Sequence, residues 1–359
     1  MSDNNEIFHL LPYVVEDIFT AMDVGQNMGW QITAFNLPEV WKYTKGANVT
    51  VAIIDSGVDL EHPDLVSSIV TGKNFVETDM PPFDSGQHGT HVAGIIAAND
   101  NKFGVVGVAP DCKIMPLKVL NSYGQGKIEH VEQAIRYAVD NGADLITMSL
   151  GCRSAVPSVL DAINYANSKS VVCFVAAGNA GSTKQLLYPA AYSECISIGA
   201  VDEQSMRADF SCTGPNLDFV APGVKIFSTV PKSSYAFLSG TSMACPFAVG
   251  VAVLVLSEKR LDDKNAKLGI NDYRKILSEQ TVPIKNLDTT LDANGAKFWQ
   301  GMGIINPAQF ESWVEYRNVE EIKKEILVLG DKISQVKKKN LIEEIQAAIK
   351  SLESKVIVQ

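Results

Sequence analysis

The 359-residue chain predicts an α/β protein built on a doubly wound, mostly parallel sheet. Three observations carry this. Between residues 49 and about 260, short β-rich runs alternate with helical patterns, the rhythm of repeated βαβ units. The strand runs are continuously apolar rather than alternating, as expected where helices cover both faces of a sheet. Residues with chemical potential follow directly on those runs, at the carboxyl edge where open sheets build their sites.

In chain order the elements are VTVAII, then HGTHVAGIIAAN as a helix, KIMPLKV as a strand and IEHVEQAIRYAVDN as a helix. DLITMSL follows as a strand, residues 156–167 as a helix, and SVVCFVAA as a strand. A long apolar helix opens at SGTSMACPFAVGVAVLVL, with Ser242 in its first turn and Pro246 still within the opening region. The flanks differ. Residues 1–25 form a short acidic extension. Residues 319–359 are rich in Lys, Glu and Ile without a strand signal. There Val319, Ile322, Ile326, Leu329, Ile333 and Val336 step by threes and fours, and a second stripe runs through Ile342, Ile345, Ile349, Leu352 and Val356. A C-terminal helical hairpin is expected, packed on its own domain, self-associating as a homodimer, or docking a partner. The domain reading is 1–25, 26–314 and 315–359.

Composition bounds the function. Hydrophobic residues at 46% and charged residues at 20% suit a folded globular enzyme. A net charge of −10 argues against nucleic acid and anionic membrane surfaces as partners. The N-terminus has no basic region ahead of its apolar stretch, which Pro12 and Glu16 interrupt, so no secretory signal is read. No uninterrupted run of about 18 apolar residues occurs, and the expectation is a soluble, cytoplasmic protein. Cys112, Cys152, Cys173, Cys195, Cys212 and Cys245 stand apart without CxxC pairs, so free thiols are expected.

Four residues draw attention together. Asp55 opens the turn after VTVAII; alone it is more often a turn former or helix cap. His88 stands near a helix start in DSGQHGTHVAGIIAA; HGTH lacks the Glu of a zinc-protease helix, and His91 reads as structural. Ser242 sits where N-capping is the commoner role, although its hydroxyl faces a positive helix end. Asn179, in AAGNAG just past SVVCFVAA, can donate an amide hydrogen bond to a developing oxyanion. An acid, a base, a hydroxyl nucleophile and an oxyanion donor in one chain are the parts of acyl transfer, and their chain order matches one known solution to it.

At DSGVDLEHPDL, HGTHVAG, GVVGVAP, MSLG, AAGN, YPA, VAPG and GTSMA the chain resembles the subtilisin family, over residues 26 to about 310. The resemblance implies a serine endopeptidase acting on polypeptide substrates, in which Asp55 orients His88, His88 takes the proton of Ser242, and an acyl-enzyme forms on Ser242. It implies that Gly124, Gln125 and Gly126 flank an extended substrate on one side and Ser149, Leu150 and Gly151 on the other. Ala176, Ala177 and Gly178 are expected to line the pocket for the residue before the cut, narrowed by Leu187. A calcium ion is implied at Gln26, Asp64, Asn99, Asn101, Phe103 and Val105, with side chains from Gln26, Asp64 and Asn101 and carbonyls from the rest.

Leu10-Leu11-Pro12-Tyr13 and YPAAYSE resemble the bacterial intracellular subtilisins in particular. That resemblance implies that the chain's own N-terminal segment lies across the cleft as an inhibitor, with proline displacing the backbone from a cleavable register. Broad specificity is expected; the alternatives are a processing protease directed by its C-terminal helices, or an inactive scaffold. Cys245 and Phe247 depart from the family pattern, and are expected to alter packing behind the serine rather than the chemistry.

Overall fold

A computed structural model describes residues 7–20, 25–181, 185–279, 281–288, 290–291, 293–309, 322, 326–329 and 339–357. Its strands are β1 Ile7–Leu10, β2 Val14–Thr20, β3 Thr50–Asp55, β4 Lys73–Asn74, β5 Lys113–Lys118, β6 Gln125–Lys127, β7 Leu145–Met148, β8 Leu150–Gly151 and β9 Val172–Ala176. They continue with β10 Ile196–Val201, β11 Phe219–Pro222, β12 Ile226–Val230, β13 Ser234–Ser239, β14 Thr281–Val282 and β15 Ile304–Ile305. The helices are α1 Trp30–Thr33, α2 Leu37–Val40, α3 His88–Ala97, α4 Ile128–Asp140, α5 Pro157–Ser168, α6 Thr241–Asp262, α7 Ile270–Ser278, α8 Ala293–Gln300 and α9 Lys339–Ile357.

The central sheet runs β14-β15-β11-β10-β9-β7-β3-β5-β4. Every neighbouring pair in it is parallel except β14 with β15. From β3 the chain passes to β4 at the sheet edge, returns through α3 to β5, and then crosses β3 through α4 to β7. Helix α3 packs with α6 and α4 with α5, and β3, whose last residue is Asp55, lies between β5 and β7. Strands β3, β7, β9 and β10 are buried almost throughout, which is why they read as unbroken apolar runs.

The covering helices follow the same physics. α4 buries Val131, Ala134, Ile135 and Ala138, and α5 buries Val159, Ala162, Ile163 and Ala166. Both show the i, i+3, i+4, i+7 stripe of a helix with one face on the core. α6 is buried on all sides from Thr241 to Glu258. By length and composition it could cross a membrane, yet its apolar window is wholly inside the protein. Within it Phe247 is fully buried and packs on Phe35 at 5.3 Å between ring centroids, while Cys245 Sγ lies 3.4 Å from Thr147 Oγ1.

Two small sheets flank the core, with strand orders β6-β1-β8 and β12-β13-β2. Each incorporates one strand of the N-terminal extension. The chain divides by its contacts into residues 1–307 and 308–359. In the second unit α9 carries the stripe from Ile342 to Val356. Of the first stripe, Ile322, Ile326 and Leu329 are helical, whereas Val319, Ile333 and Val336 lie outside the described residues, as do residues 1–6 and 21–24 of the extension. All six cysteines are buried and in the thiol form, and burial pushes the thiols of Cys112, Cys173 and Cys245 up to about 12, far from thiolate character at neutral pH.

Candidate active site

Asp55 ends β3 and is fully buried. Its Oδ1 accepts the Ser56 amide at 2.7 Å, and Nδ1 of His88 donates to both carboxylate oxygens at 3.0 Å. That bond fixes the proton on Nδ1 and leaves Nε2 as the free base. His88 is the first residue of α3, and it approaches Asp55 because the next residue has no side chain. A Cβ on Gly89 would stand 2.0 Å from the Gly57 carbonyl oxygen. His91, one turn on, faces the other way: its Nε2 donates to the carbonyls of Ile226 and Ala236 at 3.0 and 3.1 Å. Burial lowers its pKa to about 3, so it is a neutral strut between α3 and the β12–β13 hairpin.

Ser242 is the second residue of α6, and the helix has Gly240 at its N-cap with no side-chain cap bond. The Ser242 hydroxyl is therefore not a cap. Its Oγ and the Nε2 of His88 are both buried without a hydrogen-bond partner among the described residues. The missing N–H of Pro246 leaves the Ser242 carbonyl without its helical donor, and the Ser149 hydroxyl donates there instead at 3.2 Å.

Asn179 lies just beyond β9, and Thr241 holds it: the Thr241 amide and hydroxyl donate to Oδ1 at 2.9 and 2.7 Å. This aims Nδ2 outward, and Nδ2 donates to the main-chain carbonyl of Pro12 at 2.6 Å. Thr241 went unremarked in the sequence although it stands inside GTSMA, because its role depends on an asparagine 62 positions earlier.

The N-terminal segment fills the groove between the two candidate substrate strands. β1 runs antiparallel to β6, with Phe8 opposite Gly126 and His9 opposite Gln125, and antiparallel to β8, with His9 opposite Gly151 and Leu10 opposite Leu150. The Leu10 amide donates to the Gly124 carbonyl at 2.8 Å; Gly124 itself precedes the strand with φ +67°. Phe8 and Leu11 are 0% and 1% exposed. Leu11 packs against Gly151 and Leu187, closely enough that a Cβ on Gly151 would stand 3.3 Å from Leu11 Cδ2 and 3.0 Å from Leu187 Cβ and push them aside. Ala176 and Ala177 are buried nearby, and Gly178 faces Leu187 as well. Tyr13 lays its ring on His88 at 5.0 Å between centroids, and burial raises its pKa.

The candidate metal residues are brought together on a separate edge. Asn101 Nδ2 donates to Asp64 Oδ1 at 2.7 Å, and the Val105 amide and Tyr235 hydroxyl donate to Asp64 Oδ2 at 2.9 and 2.8 Å. Burial and this contact keep Tyr235 protonated by raising its pKa. Gln26 Nε2 donates to the carbonyls of Asn99 and Val105 at 2.8 and 3.4 Å. The carbonyls of Lys102 and Gly104 are taken by the amides of Gln26 and Asn27. Both amide side chains also carry an oxygen at the same reach, so the set can present oxygens throughout, the chemistry of a hard cation. It holds one carboxylate, and among the described residues no cluster of three or more His, Cys, Asp or Glu converges.

Comparison with known proteins agrees with this architecture. The model of the subtilase family matches residues 46–303. The chain is 40% identical over 302 residues to the major intracellular serine protease of Bacillus subtilis (strain 168), covering 81% of this chain and 93% of that protein. It is 38% identical over 301 residues to an intracellular serine protease of Paenibacillus polymyxa, covering 80% and 89%. It is 39% identical over 300 residues to subtilisin E of Bacillus subtilis (strain 168), covering 82% and 74%. With the sheet, the buried Asp–His pair and the serine at a helix start already in place, the match leaves one assignment: the chain belongs to the subtilase family and is a serine endopeptidase of the subtilisin type.

Proposed function

We propose that the chain is a latent, calcium-dependent endopeptidase of broad specificity that works in the cytoplasm and is held inactive by its own residues 1–25. Residues 26–314 form the peptidase and 315–359 a helical extension. Ser242 attacks the scissile carbonyl, His88 takes its proton through Nε2, Asp55 stabilises the resulting imidazolium, and Asn179 donates to the oxyanion. Gly124 to Gly126 and Ser149 to Gly151 grip the substrate by its main chain, the basis for breadth, since backbone pairing accepts many sequences.

One observation carries the latency. Leu11 is buried against Gly151, beside Leu187, where the residue before the cut is expected to sit, yet the carbonyl on Asn179 Nδ2 is that of Pro12, one residue further on. Cleavage needs the carbonyl of the pocketed residue at that donor, so the segment sits one residue out of register. Proline enforces the offset through its fixed φ. The unpartnered Ser242 Oγ and His88 Nε2, with Tyr13 against the imidazole, fit a resting state.

Gln26, Asp64 and Asn101, with the carbonyls of Asn99, Phe103 and Val105, would hold a calcium ion, which would pin residues 25–27 to the 99–105 loop and stabilise the fold. Names of intracellular relatives support the cytoplasmic setting. Deleting residues 1–25 and following peptide cleavage from the moment of mixing tests latency: immediate full activity is expected where the whole chain shows a lag, and identical progress curves would refute it.

A further inference from the structure

β13 ends at Ser239, three residues before Ser242, so its free edge begins at the candidate nucleophile and leads away from it. In this structure β2 occupies that edge, with Val14 opposite Ser239, Val15 opposite Leu238 and Phe19 opposite Tyr235. Because β1 lies on the other side of Leu11 and Pro12, the chain direction is the one a substrate takes. β1 stands for residues before the cut, β2 for residues after it.

β2 is held lightly along most of its length. Val14, Ile18 and Phe19 are 56%, 60% and 44% exposed. Phe19 is its one aromatic anchor, edge-on to Phe227 at 5.7 Å and Phe237 at 6.0 Å, which lie 4.6 Å apart. Glu16 adds a polar mark, 3.5 Å from Lys225 Nζ and 3.3 Å from Ser239 Oγ. Without β2 the edge strand presents unpaired backbone groups beside the rings of Phe227 and Phe237, which are half-buried with β2 in place.

We propose that, once β2 leaves, the β13 edge with Phe227 and Phe237 is an extended track for the substrate chain beyond the cut, selecting polypeptides that place an aromatic side chain where Phe19 now lies. The inference rests on the reading of residues 1–25 as a displaceable occupant of the cleft. Main-chain pairing holds the substrate, and the aromatic pair favours one position, seven residues from Pro12 and eight from Leu11. The preferred substrates are unfolded chains with long stretches after the cut rather than short peptides.

The test uses the full-length enzyme past its lag and three fluorogenic probes sharing one proline-free sequence before the cut. One ends two residues after the cut. The second continues with one or two spacer residues and Val-Val-Glu-Asp-Ile-Phe-Thr, and the third replaces that Phe with Ala. The Phe probe should exceed the Ala probe in kcat/KM by roughly five- to tenfold, the scale of a well-placed aromatic contact. In Phe227→Ala/Phe237→Ala the ratio should fall to about one, with the short probe cleaved as by wild type. A ratio near one in wild type overturns the track without any variant enzyme, and so does an equal ratio in both enzymes. Failure of the latency reading is separate: it shows as the absence of a lag with the short probe, whatever the ratio.

Discussion

The hydroxyl of Ser149 donates to the main-chain carbonyl of Ser242 at 3.2 Å, supplying the bond that Pro246, four residues further along α6, has no N–H to make. One side chain between β7 and β8 thus completes the first turn of the helix that presents the candidate nucleophile. Ser149→Ala should leave a buried carbonyl unpaired and lower unfolding free energy by about 1–3 kcal/mol, read from urea midpoints in a Ser242→Ala background that prevents self-digestion. An unchanged midpoint would show that the carbonyl finds another donor.

Asn179→Ala should lower kcat by about 10² to 10³ with little change in KM, the loss measured for the corresponding donor of subtilisin. Steady-state kinetics on a short peptide decides it. A fall of less than about threefold would mean that the oxyanion is held by other donors.

Leu11 is almost fully buried and directly precedes Pro12, whose carbonyl meets Asn179, in the segment proposed to hold the enzyme latent. Truncating a buried leucine removes about 2–5 kcal/mol of packing, so Leu11→Ala should shorten the lag before activity by tenfold or more. Progress curves at equal enzyme concentration measure it, and an unaltered lag would place the hold elsewhere in the segment.

Calcium should raise the thermal midpoint of the Ser242→Ala protein and a chelator lower it, because an ion bound to the native state alone stabilises by mass action. In Asp64→Asn, scanned by calorimetry, the calcium dependence should vanish. A shift that survives in Asp64→Asn would move the metal to another site.

His91 sets a pH limit on stability. Folded, it stays neutral down to about pH 3, whereas in the unfolded chain it takes a proton near its ordinary pKa of about 6.5. Between those values the unfolded state binds more protons, so this contribution is fully present above about pH 6.5 and is lost as pH falls. The slope is up to about 1.4 kcal/mol per pH unit, roughly 2 kcal/mol by pH 5. His91→Gln should flatten the dependence of unfolding free energy on pH, and parallel curves would contradict the assignment.

The strand and helix rhythm was legible because burial on both faces of the sheet leaves an unbroken apolar signature at β3, β7 and β9. Asp55 and Asn179 were legible for the same reason, each following directly on such a run. What the chain concealed depends on distant pairing. Nothing local in VVEDIFT says that it joins β13 more than 200 residues later, and nothing in AAGN says that Thr241 will orient its amide. The candidate calcium residues emerged only as a pattern of resemblance, because one carboxylate and several carbonyls leave little trace in side-chain chemistry. In the C-terminal unit the stripe at Ile342 to Val356 forms α9 as its periodicity suggests.

The N-terminal extension belongs to two sheets at once, β1 in one and β2 in the other, joined by only Leu11, Pro12 and Tyr13. Such a linkage makes the segment a bidentate ligand of its own enzyme. When either strand peels away, the other holds it at high effective concentration for rebinding, so isolated fraying does not free the cleft. A cut within the three-residue joint divides one avid ligand into two weak ones, which then leave independently. If the segment is the inhibitor proposed above, activation is steep with respect to that single scission.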